Sequence, residues 1–443
     1  METELSPIAE KARRERKYRF SNLVYLVNAE NLKGSFLKLK RDRAAGIDGV
    51  SMAEYERNLD KNIALLVARM KRQAYKPQAV RRTYIPKANG KLRPLGIPTV
   101  EDKMVQMCVT RILEAIYEAD FIGTSYGFRK ERNCHRALAA LSNIITVRPV
   151  SYVIDADIKG FFDNVSHDWM MECLKQRIAD VSLLRLIKRF LISGYLEEGI
   201  FHETEQGTPQ GGVISPMLAN IYLHYVLDLW MTRVVKKRMR GWVELIRYAD
   251  DFVICVQYKD EAETILRMLQ ERLAKFGLEL AGDKTRIVEF GRFAESNSKK
   301  RGGGKPGTFN FLGFTHYCTK SRKGKFKVGR TTERRKLAAK VKEMNLWLKR
   351  VRNTVNVKEW WHTLIVKMLG HYRYFGVSEN SRGLRAYRYL VRRLVFKWIN
   401  RRSQKRSMDW KQFDVYCLRH GFPQPKIYAS LYEGPLAFEG ING

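Results

Sequence analysis

Apolar positions recur at helical spacing through the first 80 residues, with Leu23, Leu26 and Val27 in one stretch and Leu59, Ile63, Leu66 and Met70 in another. This spacing predicts a mostly helical opening segment, broken by the turn-forming AAGIDGVS at 44–51. RRTYIPKANGKLRPLGIP at 81–98 alternates short strand-like pieces with Asn-Gly and Pro, which predicts a hairpin carrying Lys87, Lys91 and Arg93 toward its tip. VEDKMVQMCVTRILEAIYEAD then reads as a helix. A loop through TSYGFRKERN and a further helix lead to the β-branched strand SYVIDAD at 151–157.

Two helices follow, HDWMMECLKQRI and SLLRLIKRFLISG, then a loop with GTPQGGVISP, a long helix MLANIYLHYVLDLWMTRVVKK, and a strand pair around IRYADDFVICV. A helix at about 261–276 and a strand pair made of LELAGDKTRIVEF and FNFLGFTHY complete the set. Strand and helix alternation followed by antiparallel hairpins predicts a mixed α+β core. ESNSKKRGGGKPGT at 295–308 reads as an exposed, mobile loop. After about 330 the text is almost only helical. Leu337, Val341, Met344 and Leu348 follow 4-3-4 spacing with basic residues on the other face.

Composition narrows the function classes. The 443 residues hold 82 Lys and Arg against 46 Asp and Glu, a net charge of +36, with 45% hydrophobic and 11% aromatic residues. That apolar content suits a packed protein and excludes wholesale disorder. Residues 291–443 contain 35 Lys/Arg against 9 Asp/Glu, so this third carries +26 and the preceding 290 residues +10. Such a field repels itself unless phosphates neutralise it, which points to a polyanionic partner. Trp347, Trp360, Trp361, Tyr372, Tyr374, Trp398 and Trp410 lie in the same region; they suit base stacking in part and helical-core packing for the most part. No apolar run approaches about 18 residues and the start is polar, so neither membrane span nor export signal is expected, and the expectation is a cytoplasmic location. The six cysteines are scattered without a C-x-x-C pair and read as reduced thiols.

The sharpest chemistry lies in two acidic clusters. RYADDFVICV places Asp250 and Asp251 between apolar strand-forming runs, and VIDADIKGFFDNV ends another apolar strand with Asp155, Asp157 and Asp163. An acidic pair in a turn can be solvated turn chemistry alone. Carboxylates beside apolar strands are costly unless cations neutralise them, and hard oxygen ligands suit Mg²⁺ or Mn²⁺. Two such strand ends brought together can hold two ions about 3.5 to 4 Å apart, the arrangement for in-line phosphoryl transfer. Lys87 and Arg93 could supply cationic groups to a triphosphate.

YADD at 248–251 between apolar strands resembles the reverse transcriptase signature, and the surrounding text resembles group II intron-encoded reverse transcriptases, also called maturases. IPKANGKLRPLGIPTVEDKMVQ, YGFR at 126–129, DIKGFFDNVSHD, GTPQGGVISPMLANIYLH, GLELAGDKT and NFLGFTH occur in the family's order over roughly residues 24–320. The resemblance implies metal binding by Asp157, by the backbone carbonyl of Ile158, and by Asp250 and Asp251. Phe162 matches the aromatic gate under the incoming sugar that rejects a 2′-hydroxyl, with simple core packing as its other reading. Gln210 and Gly211 look like the segment against nucleotide and template, and Lys87 and Arg93 like the contacts to the triphosphate. Lys284 resembles the lysine near the leaving group, although a lone Lys after a turn also reads as surface. Phe311, Leu312 and Gly313 look like the primer grip. Asp155 could be an outer-shell acid and Asp163 a helix N-terminal charge or hydrogen-bonding partner, so neither joins the metal set.

The resemblance further implies a right-hand polymerase with fingers, palm and an all-helical thumb. The expected divisions are an N-terminal extension at 1–23, fingers with part of the palm at 24–150, palm at 151–320, thumb or X (maturase) domain at 321–400, and a basic nucleic-acid-binding segment at 401–443. No Cys/His-rich nuclease segment follows, so no endonuclease domain is expected. The expected partners are an RNA template such as intron RNA, a DNA or RNA primer and dNTPs, with two Mg²⁺ or Mn²⁺ ions. Two other readings share the palm: a group II-like reverse transcriptase with a host task in DNA repair or phage defence, and an RNA-binding splicing factor with a vestigial polymerase site.

Overall fold

Helix Val100–Tyr117 shows how the apolar pattern becomes a core. Met104, Val105, Cys108, Val109, Ile112, Leu113 and Ile116 are all buried along it, and each large aliphatic chain so placed contributes about 1.5–3 kcal/mol. Thr99 caps its start, Oγ1 accepting from the Asp102 amide at 3.1 Å. Helices Glu2–Arg14, Ala29–Leu37 and Ser215–Leu223 pack on it, in keeping with the helical opening predicted above. The computed structural model describes residues 2–86, 92–208, 211–402 and 407–431.

Among these residues the strands, in chain order, are β1 (Val80–Pro86), β2 (Leu92–Ile97), β3 (Tyr152–Asp157), β4 (Tyr195–Glu197), β5 (Ile200–His202), β6 (Val243–Tyr248), β7 (Asp251–Val256), β8 (Arg286–Glu289), β9 (Phe309–Phe311), β10 (Phe314–Lys320) and β11 (Phe326–Thr332). They form three sheets, ordered β2-β1-β4-β5, β6-β7-β3-β8 and β11-β10-β9. The predicted hairpin is present: β1 and β2 pair antiparallel, with Ile85 opposite Arg93. The fold is thus a mixed α+β arrangement rich in antiparallel pairing, with a helical C-terminal region.

The chain divides into two compact units. One contains Met1–Asn133, Ala156–Phe252 and Glu263–Arg286; the other contains Cys134–Asp155, Val253–Ala262 and Ile287–Gly443. In the second, helix Cys134–Val147 packs on β11, and helix Arg334–Val351 runs along helix Ser381–Ile399. Trp360, Trp361, Tyr372 and Trp398 are buried there, whereas Tyr374 and Trp410 stay 38% and 40% exposed. Most of the interleaved aromatics therefore build helical core.

Four local expectations need correction. The first part of the Gly/Lys-rich loop, 295–300, belongs to a helix, Ala294–Lys300, anchored by buried Ala294 and by an i,i+4 Lys299–Glu295 ion pair. The long helix after Ser215 widens into π-helical turns at His224–Asp228 and Met231–Val235. β8 joins the β3 sheet, while FNFLGFTHY folds on itself as β9–β10, so these two texts lie in different sheets. On helix Arg334–Val351 only Met344 and Leu348 of the 4-3-4 stripe are fully buried. Among the described residues no helix is long and apolar enough to cross a membrane, and the six cysteines form no disulfide.

Candidate active site

The two-residue turn between β6 and β7 carries Ala249 and Asp250, and Asp251 opens β7. Ala249 takes φ +57°, a left-handed backbone that costs a non-glycine residue on the order of 1 kcal/mol or more. Its neighbours hold it there. The Tyr126 amide donates to the Arg247 carbonyl at 2.8 Å and the Arg247 amide to Thr124 at 3.0 Å. Gly127 lies so close that a Cβ on it would stand 2.3 Å from the Ala249 nitrogen. Asn220 fixes that glycine, its Nδ2 donating to the Gly127 carbonyl at 2.7 Å.

Asp157 ends β3, half-buried, and the chain beyond it pairs with GLELAGDKT. Ile158 stands opposite Leu280, the Lys159 amide donates to Glu279 at 2.8 Å, and the Ala281 amide donates to the Asp157 carbonyl at 2.8 Å. The turn that follows delivers Lys284, whose Nζ lies 2.5 Å from Asp157 Oδ2. That hydrogen bond raises the Lys284 pKa above its ordinary value, against some burial, with the charges of Asp157, Asp283 and Asp250 adding to it. Burial pushes the Asp250 carboxyl upward and the Asp157 charge pushes it further, while its own backbone, Arg93 and Arg247 pull it down. Asp157, Asp250, Arg93 and Lys284 thus share one electrostatic neighbourhood within the first unit.

Gly160, at φ +55°, turns the chain into the short 3₁₀ segment Phe161–Asp163. Phe161 is buried and Phe162 half-buried, lining a cleft of about 540 Å³ with Arg82, Tyr84, Pro94, Gly96 and Thr208. The Thr208 amide donates to the Phe162 carbonyl and the Gly207 amide to Val165, both at 2.7 Å. Gly211, at φ +108°, would place a Cβ 2.6 Å from the Gly96 carbonyl oxygen. The TPQGG text therefore meets the Phe162 turn at one end and β2 at the other.

Lys87 and Gln210 lie outside the described residues. Arg93 is exposed on β2. Phe311, Leu312 and Gly313 belong to the second unit, at the tight β9–β10 turn with Leu312 at φ +52° and Gly313 at φ +77°. Phe311 is buried, and the Leu312 carbonyl accepts from the Tyr374 hydroxyl at 3.0 Å. Asp155 is half-buried and Asp163 exposed. Among the described residues no three His, Cys, Asp or Glu side chains form a ready-made metal cage.

Sequence reasoning passed over Arg247, Asp228 and Asn220, which are fully or almost fully buried. Arg247 Nε and Nη2 donate to the two Asp228 oxygens at 2.8 and 2.6 Å, and Nη1 donates to Asn220 Oδ1 at 3.1 Å and to the Ala249 carbonyl at 2.9 Å. Burial would raise the Asp228 pKa, but the Arg247 charge and hydrogen bonds, with His224 alongside, hold it below its ordinary value. The one visible signal is a cation immediately before YADD in a strand, VELIRY, that should be mostly buried.

Comparison with known proteins accords with this geometry. The family model described as reverse transcriptase (RNA-dependent DNA polymerase) matches residues 85–316. The chain is 40% identical over 212 residues to the group II intron-encoded protein LtrA of Lactococcus lactis, covering 47% of this chain and 35% of that protein. Over 281 residues it is 34% identical to protein YkfC of Escherichia coli K12, covering 57% of this chain and 74% of that one. It is 35% identical over 200 residues to an uncharacterized 91 kDa protein in the cob intron of Schizosaccharomyces pombe, covering 45% of this chain and 24% of that protein. The chain belongs to the reverse transcriptase family. Within that family its similarity runs to group II intron-encoded proteins and maturases. It spans only about a third of LtrA's length.

Proposed function

We propose that the chain is an RNA-directed DNA polymerase encoded by a group II intron, which also binds intron RNA to assist splicing and mobility. The observation that supports this reading best is the shared electrostatic neighbourhood of Asp157 and Asp250 with Arg93 and Lys284. A carboxyl whose proton affinity is raised by a second carboxylate is one that a divalent cation would relieve, and an all-oxygen donor set favours Mg²⁺ or Mn²⁺ over softer metals. Asp157, Asp250, Asp251 and the Ile158 carbonyl would hold two such ions. When bound, they would lower the pKa of the primer 3′-hydroxyl and stabilise the departing pyrophosphate.

The chain's own groups do the positioning. Lys87 and Arg93 would grip the triphosphate, and Lys284, already charged and beside Asp157, would stand near the leaving group. Phe162 would lie under the incoming sugar, where its ring leaves no room for a 2′-hydroxyl. Gln210 and Gly211 would pack against nucleotide and template, and Phe311 to Gly313 would support the primer. On the same reading residues 24–150 are fingers with part of the palm, 151–320 palm, 321–400 thumb or X domain, and 401–443 a basic nucleic-acid-binding segment, with 1–23 an extension. The partners are an RNA template, a DNA or RNA primer and dNTPs, and the +26 carried by residues 291–443 is the charge such binding uses.

Primer extension on an RNA template with Mg²⁺ and dNTPs tests the reading. Product from the natural chain that vanishes in Asp250→Ala, while RNA binding persists, is the expected result. Tight RNA binding with no product from the natural chain would favour a splicing factor with a vestigial site, and product from Asp250→Ala would refute the site.

A further inference from the structure

The side chain of Arg247 curls back onto the turn that its own strand enters. Its guanidinium is fully buried and has two jobs at once: a side-on pair with Asp228, and a 2.9 Å hydrogen bond to the carbonyl of Ala249. A purely structural ion pair needs only the first. Buried pairs of this kind add little net stability compared with apolar replacements, so stability alone does not account for a charge here. The second bond falls on the one residue of the turn with left-handed backbone, immediately before Asp250.

Residues from other parts of the chain tie Arg247 and Ala249 together. Asn220 accepts from Arg247 at 3.1 Å and, through its Nδ2, binds the carbonyl of Gly127. Gly127 in turn touches the Ala249 backbone, leaving no space for a Cβ. Asp228 closes the first π-helical stretch, and such widened turns are frequent at functional sites. Ala249 is thus confined by Gly127 at its nitrogen and held by Arg247 at its carbonyl oxygen, with Asn220 joining the two.

We propose that Arg247, held by Asp228 and Asn220, is a positioning residue that fixes the Ala249 peptide and thereby aims the carboxylates of Asp250 and Asp251. This rests on the reading of those aspartates as cation ligands. Residues that orient ligands from behind typically change metal affinity or activity by about 10–100-fold when replaced.

Two variants separate positioning from folding. Arg247→Lys keeps a charge beside Asp228 but cannot span both Asp228 and the Ala249 oxygen. The double variant Arg247→Met with Asp228→Leu removes both charges together, which avoids stranding one of them in the core. The full chain is assayed for Mn²⁺ binding by electron paramagnetic resonance without substrate, for amide exchange at 248–251, and for kcat and KM in primer extension. The expected result, in whichever variant melts as the natural chain does, is Mn²⁺ affinity and kcat lower by about 10–100-fold, faster exchange at the turn, and unchanged RNA affinity. A folded variant with native Mn²⁺ affinity, native exchange and native kcat would overturn the proposal. Failure of the underlying reading looks different: Asp250→Ala would then bind Mn²⁺ and extend primers as the natural chain does.

Discussion

Lys284 Nζ and Asp157 Oδ2, separated by 127 positions in sequence, lie 2.5 Å apart. The pairing is a consequence of backbone: Ala281 donates to Asp157 and Ile158 faces Leu280, so the GDK turn has only one place to go. Both side chains keep solvent contact, Lys284 being 61% exposed, and such pairs contribute at most about 1 kcal/mol to stability. Lys284→Ala should therefore melt within a few degrees of the natural chain. On the proposed reading that Lys284 stands near the leaving pyrophosphate, primer-extension kcat should nevertheless fall by about 100-fold or more, the usual contribution of a positioned proton donor. Equal kcat in the two proteins would return Lys284 to the surface.

Phe162 is the second test. Phe161 beside it is buried and contributes core, whereas Phe162 is half-buried and lines the cleft with Pro94, Gly96 and Thr208. Truncation of a half-buried ring costs less stability than the roughly 3–5 kcal/mol of a fully buried one. Phe162→Ala is expected to fold and to accept ribonucleotides, measured as the ratio of kcat/KM for a dNTP and its rNTP. A ratio that does not move would assign the ring to packing alone.

Gly127 offers a steric test of the turn. Its φ is unremarkable, so the constraint is space alone: the missing Cβ would sit 2.3 Å from the backbone nitrogen of Ala249. Backbone cannot rotate aside as a flexible side chain can, so Gly127→Ala must shift the YGFR loop, the YADD turn, or both. We expect a loss of about 1–3 kcal/mol in unfolding free energy together with a fall in kcat of about tenfold or more, since misplacement of reacting groups by even 1 Å is costly. Native kcat in a folded Gly127→Ala chain would show that the turn tolerates movement.

The sequence reading reached the features that are local. Alternating apolar text around Asn-Gly corresponds to β1 and β2, the strand-and-acid clusters to β3, β6 and β7, and the helical text VEDKMVQMCVTRILEAIYEAD to helix Val100–Tyr117. It missed what long-range pairing decides. Arg247 meets Asp228 across 19 positions and two element types, and no period of 2 or 3.6 encodes such a meeting. The π-helical turns at His224–Asp228 differ from ordinary helix in their backbone hydrogen bonding, which no side-chain spacing announces. β4 and β5 are three residues each in mixed text, too short for an alternation to register. Helix Ala294–Lys300 was hidden by the glycines that follow it, which dominated the composition of the window.

His371 provides a prediction about pH that is independent of the active site. It lies on helix Val357–Phe375 in the second unit, 7% exposed, stacked on Tyr387 with ring centroids 3.6 Å apart. Neither ring nitrogen has a hydrogen-bond partner among the described residues. Burial, with a smaller contribution from the charge of Lys340, pushes its pKa down to about 4 from an ordinary 6.5. The sign follows from proton counting. Between those two values the unfolded chain binds a proton that the folded chain refuses, so folding stability falls as pH drops through 6.5 and the loss is complete near 4. With 1.36 kcal/mol per pKa unit, the cost on moving from pH 7.5 to 5 is about 2 kcal/mol. His371→Phe retains the stacking surface and removes the titration. Urea unfolding of the natural chain should therefore weaken by about 2 kcal/mol more than that of the variant over this interval; equal losses in the two proteins would mean that the imidazole finds a proton acceptor or water in the folded state.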